Sequence, residues 1–384
     1  MPRVLLAPDS FKGSLSAVQF CQIARQQILA YAPETEVMAL PLSDGGEGFA
    51  EAFIVAGLAQ AHSVWVSDPL GRRTKATFAW QASTQTAFVE MAQASGLHKV
   101  RLDERNPLQT HSYGTGQLLQ AALDLGAKKI VLGLGGSATN DGGMGALQAL
   151  GVEILDSAGD PVLLGGQGFR FLDRIGQIPQ ILQEVEWVLA VDVRNPLLGE
   201  MGATAIFGPQ KGLQTQQFTI LEEGMRLWAQ TIAERTGRKV AHLEGAGAAG
   251  GMAAGLVGIV NAQIVSGFEV LRAYLPLDAY LQPKNGEPVD WVLTGEGRID
   301  AQTAYGKLPL RMAELAATYQ VPCIGVAGSL AVQRETLPVF TALFSLVNQP
   351  MHEREAMAEA PQLLAHWLQN ALPLLLPQRA RNAV

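Results

Sequence analysis

RVLLAPDSFKG, residues 3–13, is an apolar run that ends in a polar loop containing glycine. A stretch with apolar residues near helical spacing follows from Ser16 to Ala32, and a second apolar run, Val37–Leu42, then ends in the loop SDGG. A second helical stretch, Glu47–Ala59, begins directly after that loop. This alternation predicts a β-α-β-α unit, and such units build parallel sheets. The sequence therefore predicts the α/β class.

Composition excludes several classes of protein. Glycine accounts for 41 of 384 residues, hydrophobic residues make up 48% and charged residues only 16%. A disordered chain needs more charge and less hydrophobicity, and a coiled coil would show charged heptads. The net charge is −7 and Lys and Arg form no cluster, so we expect no nucleic-acid partner. The two cysteines form neither a disulfide framework nor a metal-binding spacing.

One uncharged stretch, Gly245–Phe268, is long enough to span a bilayer. It consists mostly of Gly and Ala and includes Asn261, Gln263 and Ser266, so it offers little transfer energy to lipid. We therefore predict a glycine-rich loop that runs into a buried helix, and no membrane partner. The apolar run at the N-terminus is too short for a signal peptide, which leads us to expect a cytoplasmic protein.

The sequence pattern changes between His62 and Gly96, where three short strands with turn residues between them predict an antiparallel meander. The alternation of strands and helices returns after Leu281. The simplest arrangement has two domains. A discontinuous, Rossmann-like parallel α/β domain would contain residues 1–65 and 284–384, and a mixed α/β domain of residues 66–283 would be inserted into it. We expect the active site in a cleft between the two domains.

Several common catalytic motifs are missing from the sequence. It contains no G-x-S-x-G nucleophile elbow, no G-x-x-x-x-G-K-[ST] phosphate loop and no histidine pair with the spacing of a zinc site. Gly133–Ala138 and Gly245–Gly250 match the dinucleotide fingerprint, but such matches arise easily in a chain rich in Gly and Ala. In the first segment, residues 139–143 delay the helix and make a longer, amide-rich loop of the kind that wraps a phosphate group.

Five loops begin where predicted strands end, and most combine glycine with a carboxylate or a cation. They are residues 8–13, 43–48, 135–143, 192–196 and 294–300. Each acidic residue on its own could cap a helix or start a turn. Ligands of open α/β sheets bind beyond the carboxyl ends of the strands, however, so one shared site explains all five loops. Carboxylates beside cations and backbone amides are what phosphoryl transfer requires. Lys211 and Lys307 add positive charge beside further glycines.

These loops lie within longer motifs that resemble the bacterial glycerate kinase family of the type I, glyoxylate/glucarate-pathway kind. The motifs follow the family order from Val4 to about Pro309 and are APDSFKGSLSA, LPLSDGGEG, GLGGSATNDGGMGALQALG, DVRNPLLGEMGATAIFGPQKG, GAGAAGG and LTGEGRIDAQTAYGKLP. The resemblance implies ATP-dependent phosphorylation of D-glycerate to 2-phospho-D-glycerate and ADP, with Mg²⁺ required. It also implies two α/β domains with the active site between them.

The resemblance also implies which residues bind D-glycerate. They are Ser10, Lys12, Asp44, Gly45, Gly46 and Arg298. Ser10, Lys12 and Arg298 would provide donors to the substrate carboxylate. Asp44 and the amides of the two glycines would hold a hydroxyl group and orient the substrate.

The remaining implied roles concern catalysis and the nucleotide. Asp192, Lys211 and Arg298 are the expected catalytic residues, and Asp192 would receive the hydroxyl proton or position Mg²⁺. Asp300 is a second candidate metal ligand. The residues expected to hold the ATP phosphates, with help from Lys211, are Gly135, Gly136, Ser137, Ala138, Thr139, Asn140 and Asp141.

Three other functions remain open from the residues alone. The phosphorylated hydroxyl could be the 3-hydroxyl, because that choice depends on fine placement of the substrate. Gly133–Ala138 could serve an NAD-dependent dehydrogenase, and the glycine-rich loops could belong to a non-catalytic protein that binds an organic acid. The sequence does not determine the oligomeric state, so a homo-oligomer is left open.

Overall fold

The computed structural model describes residues 1–301 and 303–376. Its β-strands are β1 (Arg3–Leu6), β2 (Glu36–Ala39), β3 (Gln60–Ser67), β4 (Arg73–Gln81), β5 (Thr86–Glu90), β6 (Lys129–Gly133), β7 (Ile154–Leu155), β8 (Arg174–Ile175), β9 (Glu186–Ala190), β10 (Gln263–Val265), β11 (Trp291–Ile299), β12 (Cys323–Leu330) and β13 (Ala342–Ser345). Its α-helices are α1 (Ala17–Tyr31), α2 (Phe49–Val55), α3 (Ala92–Ser95), α4 (Tyr113–Asp124), α5 (Met144–Ala149), α6 (Ala203–Phe207), α7 (Thr215–Thr236), α8 (Ala248–Val260), α9 (Gly267–Tyr274), α10 (Leu277–Leu281), α11 (Leu308–Thr318), α12 (Glu353–Ala358) and α13 (Ala360–Leu375).

Five strands form a parallel sheet in the order β13-β12-β11-β1-β2. Val4 of β1, for example, lies opposite Trp291 on one side and opposite Val37 on the other. Counted along the chain within this sheet, the order is 2-1-3-4-5, a doubly wound order that reverses direction between β1 and β11. We call the carboxyl ends of these two strands the switch point, where ligands of such sheets bind. The predicted Rossmann-like parallel α/β fold is confirmed.

Local sequence explains how the helices cover this sheet. Helices α1 and α13 contact each other, and Phe20 and Leu364 bury their side chains with Val326 of the sheet in one apolar cluster. Helix α1 begins with a capping box, in which Oγ of Ser16 accepts the amide of Gln19 at 3.1 Å and Oε1 of Gln19 accepts the amide of Ser16 at 3.0 Å. These bonds satisfy two amides that the helix itself leaves unpaired.

Six strands form a mixed sheet in the order β10-β9-β6-β5-β4-β3. Strands β3, β4 and β5 are antiparallel neighbours, which confirms the predicted meander. Strands β5, β6, β9 and β10 run parallel to one another. Their carboxyl ends, at Glu90, Gly133, Ala190 and Val265, therefore lie along one edge of the sheet. We call this the parallel edge; with the antiparallel strands it confirms the predicted mixed α/β fold.

Contacts divide the chain into two units. The parallel unit contains Met1–Ser43 and the residues from Leu271 onward, and the mixed unit contains Asp44–Val270. Both boundaries fall earlier in the chain than the domain junctions expected after residues 65 and 283. The division therefore differs from the expected one at both ends of the inserted segment.

The packing of the boundary segments explains this difference. Strand β3 pairs with β4 along its whole length and α2 packs on β4 and β5, so both elements belong to the mixed unit. At the other boundary, Asp278 accepts a hydrogen bond from Arg272 at 2.9 Å and one from the hydroxyl of Tyr319 at 2.7 Å. These bonds hold the part of α9 from Leu271 onward, together with α10, to the end of α11 within the parallel unit.

The uncharged stretch folds as predicted, into a glycine-rich loop followed by the largely buried helix α8. Ala249, Gly250 and Gly251 have left-handed backbone conformations, with φ of 54°, 66° and 84°. The regular right-handed helix therefore begins only after these three residues. Among residues 1–301 and 303–376, no helix is long and apolar enough to cross a membrane.

Candidate active site

The switch point of the parallel unit has acidic side chains on both of its strands. The loop after β1 contains Asp9, which is buried and whose amide donates to the carbonyl oxygen of Gly295 at 2.8 Å. Oδ1 of Asp9 accepts the amide of Ser10 at 2.6 Å. These bonds hold the loop after β1 against β11, where the next residue, Glu296, is also buried.

Glu296 lies within a network of charged groups. Its Oε1 accepts the hydroxyl of Thr303 at 2.9 Å, and its Oε2 accepts Nζ of Lys307 at 3.2 Å. Nζ of Lys307 also lies 3.8 Å from Oδ1 of Asp300, and Nε of Arg298 lies 3.4 Å from Oδ2 of Asp300. Burial raises the pKa of Glu296, and Lys307 partly offsets this effect. Glu296 lies in a motif that the sequence reveals, but it is not among the site residues predicted from the sequence.

The substrate residues predicted in this unit differ in exposure. Lys12 is exposed, 66% of the Arg298 side chain is exposed, and Ser10 is half-buried. The two cations therefore face solvent at or beside the switch point, where an anionic ligand can reach them. Asp300 has a cation near each carboxylate oxygen, and one of them, Lys307, is shared with Glu296.

In the mixed unit, the loop Asp44–Gly48 lies across the parallel edge. The carbonyl oxygen of Gly45 accepts the amide of Gly135 at 2.8 Å, and the amide of Gly48 donates to Oε2 of Glu90 at 3.1 Å. Gly45 has a φ of +104°, and a Cβ there would lie 2.8 Å from the last carbonyl oxygen of β9. Glycine alone fits this position, so the loop approaches the strand ends through its backbone.

Asp192 and Asp44, two of the predicted site residues, come together at this edge. Asp192 is exposed, and its Oδ1 accepts the amide of Gly267 at 3.0 Å and the hydroxyl of Ser266 at 3.1 Å. A Cβ on Gly267 would collide with the carbonyl oxygen of Asp44 and lie 2.5 Å from Oδ2 of Asp192. Sequence reasoning missed Ser266 and Gly267, although a Ser-Gly pair directly after β10 is the available signal.

The predicted phosphate loop between β6 and α5 has an exposed part and a buried part. Gly135 and Gly136 reach the surface, whereas the residues from Ser137 to Asp141 are buried. Helix α5 begins only at Met144. In a dinucleotide-binding turn the helix begins within the glycine motif, so this loop is longer than that fingerprint requires.

Lys211 supports the buried part of this loop. Its Nζ donates to Oγ of Ser137 at 3.0 Å and to the carbonyl oxygen of Thr139 at 2.7 Å, and the residue is 2% exposed. Burial lowers the pKa of Lys211 to about 7, although the carboxylate of Asp141 acts in the opposite direction. In this arrangement Lys211 positions the loop from beneath and does not reach the surface.

The side chains of Asp141 and Asn140 are also buried, and both form hydrogen bonds within the protein. Oδ2 of Asp141 accepts both the amide and the hydroxyl of Ser112 at 2.8 Å, and Oδ1 accepts the amide of Gly143 at 3.2 Å. Nδ2 of Asn140 donates to the hydroxyl of Thr204 at 3.1 Å. These side chains join the loop to the start of α4 and to α6, and Gly136 is the residue of the loop that is exposed at the surface.

The second glycine-rich motif packs against this same loop. The amide of Gly142 donates to the carbonyl oxygen of Gly250 at 3.0 Å. A Cβ on Gly250 would collide with the carbonyl oxygen of Thr139. The backbones of the two motifs are therefore in direct contact. This close packing explains why glycine is needed at the contact, and it does not require a second ligand site.

Mg²⁺ is implied by the resemblance, and the acidic residues differ in how well they would hold it. Within the two described ranges, no three acidic, histidine or cysteine side chains gather closely enough to hold a metal ion by themselves. Mg²⁺ is usually bound by one or two carboxylates together with substrate phosphates. The exposed carboxylate of Asp192 fits that role, whereas the cations beside Asp300 make it a weaker ligand.

The fold and these loops define a class: an α/β protein of two units, with carboxylates and glycine-rich backbone at the carboxyl ends of its parallel strands. Comparison with known proteins identifies the family. The model of the glycerate kinase family matches residues 4–376. This chain belongs to the glycerate kinase family, as its motifs indicate, and is therefore a kinase.

Individual relatives cover nearly the whole chain. It is 41% identical over 374 residues to a glycerate kinase of Halalkalibacterium halodurans, spanning 96% of this chain and 97% of the relative. It is 40% identical over 331 residues to the glycerate 2-kinase of Escherichia coli, spanning 85% of each. A solved structure titled "Crystal structure of putative glycerate kinase 2 from Salmonella typhimurium LT2" is 39% identical and superposes with a TM-score of 0.82, covering 97% of this chain and 98% of that one.

Proposed function

We propose that this protein transfers the terminal phosphoryl group of ATP to D-glycerate, forming 2-phospho-D-glycerate and ADP, with Mg²⁺ required. The observation that carries the proposal is the meeting of Asp192, Gly267 and the loop Asp44–Gly48 at the parallel edge. The name of the Escherichia coli relative, a glycerate 2-kinase, supports the choice of hydroxyl. The expected cytoplasmic location is part of the same proposal.

Asp192 acts as the base in this reaction. Its carboxylate is exposed beyond β9 and is oriented by Gly267 and Ser266. The glycerate hydroxyl oxygen forms a bond to the γ-phosphorus, the bond from that phosphorus to the ADP oxygen breaks, and the hydroxyl proton passes to Asp192. Holding the two reactants together and neutralising their charge supply most of the rate enhancement.

The other loops bind the reactants. Asp44 and the backbone beside it orient the glycerate hydroxyls, and the phosphate loop holds the ATP phosphates at Gly136, its exposed residue. Lys12 and Arg298, which face solvent, bind the glycerate carboxylate together with the hydroxyl of Ser10. Bound Mg²⁺ would neutralise phosphate charge and would be held mainly by the substrate phosphates; since Asp192 serves here as the base, the other candidate protein ligand is Asp300.

The proposal draws on residues of both units, because Arg298 belongs to the parallel unit and Asp192 to the mixed unit. Binding of the reactants therefore requires both units, and small-angle X-ray scattering tests whether it makes the protein more compact. We expect a smaller radius of gyration with D-glycerate and a nonhydrolysable ATP analogue, and identical profiles would contradict this expectation.

The activity is tested by incubating the chain with ATP, Mg²⁺ and D-glycerate and measuring ADP. We expect ADP formation that depends on D-glycerate and stops when Mg²⁺ is chelated. Phosphorus NMR of the product identifies the phosphorylated hydroxyl, and 3-phosphoglycerate would overturn the proposed position. NADH binding without glycerate-dependent ADP formation would favour the dehydrogenase, and glycerate binding without turnover would favour a binding protein.

Asp192→Asn tests the assignment of the base. The amide cannot accept the hydroxyl proton, so we expect kcat to fall by at least ~100-fold. Asp124→Asn is the matched control, because Asp124 is exposed at the end of α4 and belongs to the same unit. Activity retained in Asp192→Asn would remove Asp192 from the mechanism.

A further inference from the structure

Glu90, which the proposed mechanism does not use, is a buried acid at the parallel edge. It is the last residue of β5 and is 1% exposed. Its Oε2 accepts the amide of Gly48 at 3.1 Å. Carboxylates are seldom buried unless they have a partner, so this contact requires an explanation.

The helix that follows the loop supplies that explanation. Gly48 is the N-cap of α2 and has no side chain with which to cap the helix. Amides at a helix start need an acceptor, and here Glu90 of the neighbouring strand provides it. The carboxylate thus replaces a capping residue that the loop itself lacks.

This bond also fixes the loop on the sheet. The loop is joined to the parallel edge near its start, where Gly45 accepts the amide of Gly135, and at its end, where Gly48 donates to Glu90. Asp44 and Gly46 lie on either side of the first of these bonds. Their position therefore depends on a side chain that does not reach the surface.

We propose that Glu90 is the positioning residue of the substrate loop: through its bond to Gly48 it holds Asp44–Gly46 in the geometry that binds D-glycerate. The inference rests on the proposed function, because that function assigns these loop residues to the substrate. Glu90 acts through the loop and does not contact the reactants.

The ionisation of Glu90 links this geometry to pH. Burial raises the pKa of Glu90 to about 8, Glu47 acts in the same direction, and the amides at the start of α2 oppose both effects. His98 and Lys99, in the turn after α3, are the basic groups on that side, while β6 ends beside Glu90 in Gly133 and brings no charge. The acid is therefore mostly protonated at pH 7 and ionised by pH 9.

Ionisation of Glu90 should loosen the loop. Burial raises the pKa of Glu90 because the packed geometry favours the neutral acid, so ionisation favours arrangements in which the carboxylate reaches water. We therefore expect the KM for D-glycerate to rise by about threefold between pH 7 and pH 9, beyond any change in the KM for ATP.

Two substitutions separate the bond from the ionisation. Glu90→Gln keeps an acceptor of the same shape but cannot ionise, so the variant should lose the rise in KM with pH. Glu90→Leu removes the acceptor, and we expect the KM for D-glycerate to rise by at least ~10-fold with a smaller change in kcat. Glu51→Gln is the matched control, because Glu51 lies exposed on the same helix.

The role of Glu90 as a positioning residue would be overturned by an unchanged KM for D-glycerate in Glu90→Leu. It would equally be overturned if the KM of Glu90→Gln depended on pH in the same way as the KM of the unmodified chain. If Glu90→Leu fails to fold, the pH profile of Glu90→Gln alone decides.

A second measurement does not require activity. Hydrogen exchange of the peptide spanning residues 44–50 should be faster in Glu90→Leu and unchanged in Glu51→Gln. If the unmodified chain does not turn over D-glycerate, the proposed function fails, and with it the substrate assignment of the loop. Unchanged exchange in Glu90→Leu would show instead that Glu90 does not hold the loop.

Discussion

Replacing Lys211 by methionine tests whether Lys211, which is buried beneath the phosphate loop, is neutral in the folded protein. Nζ of Lys211 is buried and bonded to Ser137 and to the carbonyl oxygen of Thr139. Burial lowers the pKa of Lys211 from its usual 10.5 to about 7. Methionine has a similar length but cannot take up a proton. Comparison of the unmodified chain with Lys211→Met therefore isolates the effect of protonation at this position.

The direction of the effect follows from proton binding. Between pH 7 and pH 10.5 the unfolded chain binds a proton at Lys211 that the folded chain has lost, so the stability of the unmodified chain rises with pH over this window. The gain is at most about 1.4 kcal/mol per pH unit. From pH 7.5 to pH 9.5 we therefore expect the free energy of unfolding to rise by about 2 kcal/mol relative to Lys211→Met.

Urea unfolding at several pH values measures this difference. Because the chain has two units, the transition of the mixed unit must be fitted separately, and Trp187 and Trp228 report on that unit. Lys128→Met, at an exposed position of the same unit, is the control and should follow the unmodified chain. Parallel stability curves for the unmodified chain and Lys211→Met would refute the reasoning.

Three further substitutions address the two units. Gly267→Ala would push its new Cβ against the carbonyl oxygen of Asp44 and Oδ2 of Asp192, so we expect kcat for D-glycerate to fall at least ~10-fold and the free energy of unfolding to fall by about 1–3 kcal/mol; normal turnover would argue against these contacts. Arg298→Ala removes an exposed cation, and steady-state kinetics should show a roughly tenfold higher KM for D-glycerate with little change in kcat, so a selective loss of kcat would contradict a binding role. Asp141→Asn leaves part of the Ser112 pairing unmade inside the mixed unit, and thermal unfolding should show a loss of about 2–4 kcal/mol, which an unchanged melting temperature would disprove.

Local patterns were sufficient to predict most of the elements. Apolar runs that end in glycine-containing loops mark β1 and β6, and apolar residues near helical spacing from Ser16 onward mark α1. The loops around Asp44 and Asp192 could be placed at strand ends for the same reason. The carboxyl ends of parallel strands share an edge within one sheet, so the loops after β6 and β9 could be expected to be neighbours. The loop around Asp44 follows β2 of the other sheet, so its position at the parallel edge could not be predicted in this way.

What the sequence pattern could not show depends on pairing and burial. The domain junction was placed after residue 65 because the change in pattern is gradual there, whereas the structure assigns β3 to the mixed unit through its pairing with β4. Lys211 was expected to help hold ATP phosphates, but its stem and amine are covered. Gly267 was missed because a single glycine after a strand resembles any turn until its close neighbours, Asp44 and Asp192, are known.

The left-handed residues before the regular part of α8 limit the insertions and deletions that this segment of the chain can accept. The amide of Ala254 donates to the carbonyl oxygen of Ala246 at 3.2 Å, a span of eight residues that an uninterrupted helix cannot bridge with one bond. The left-handed backbone of the three residues from Ala249 to Gly251 makes this hydrogen bond possible. A codon inserted or deleted within this segment would shift Gly250 away from Thr139, even if every new residue were glycine. The segment should therefore tolerate no change in length.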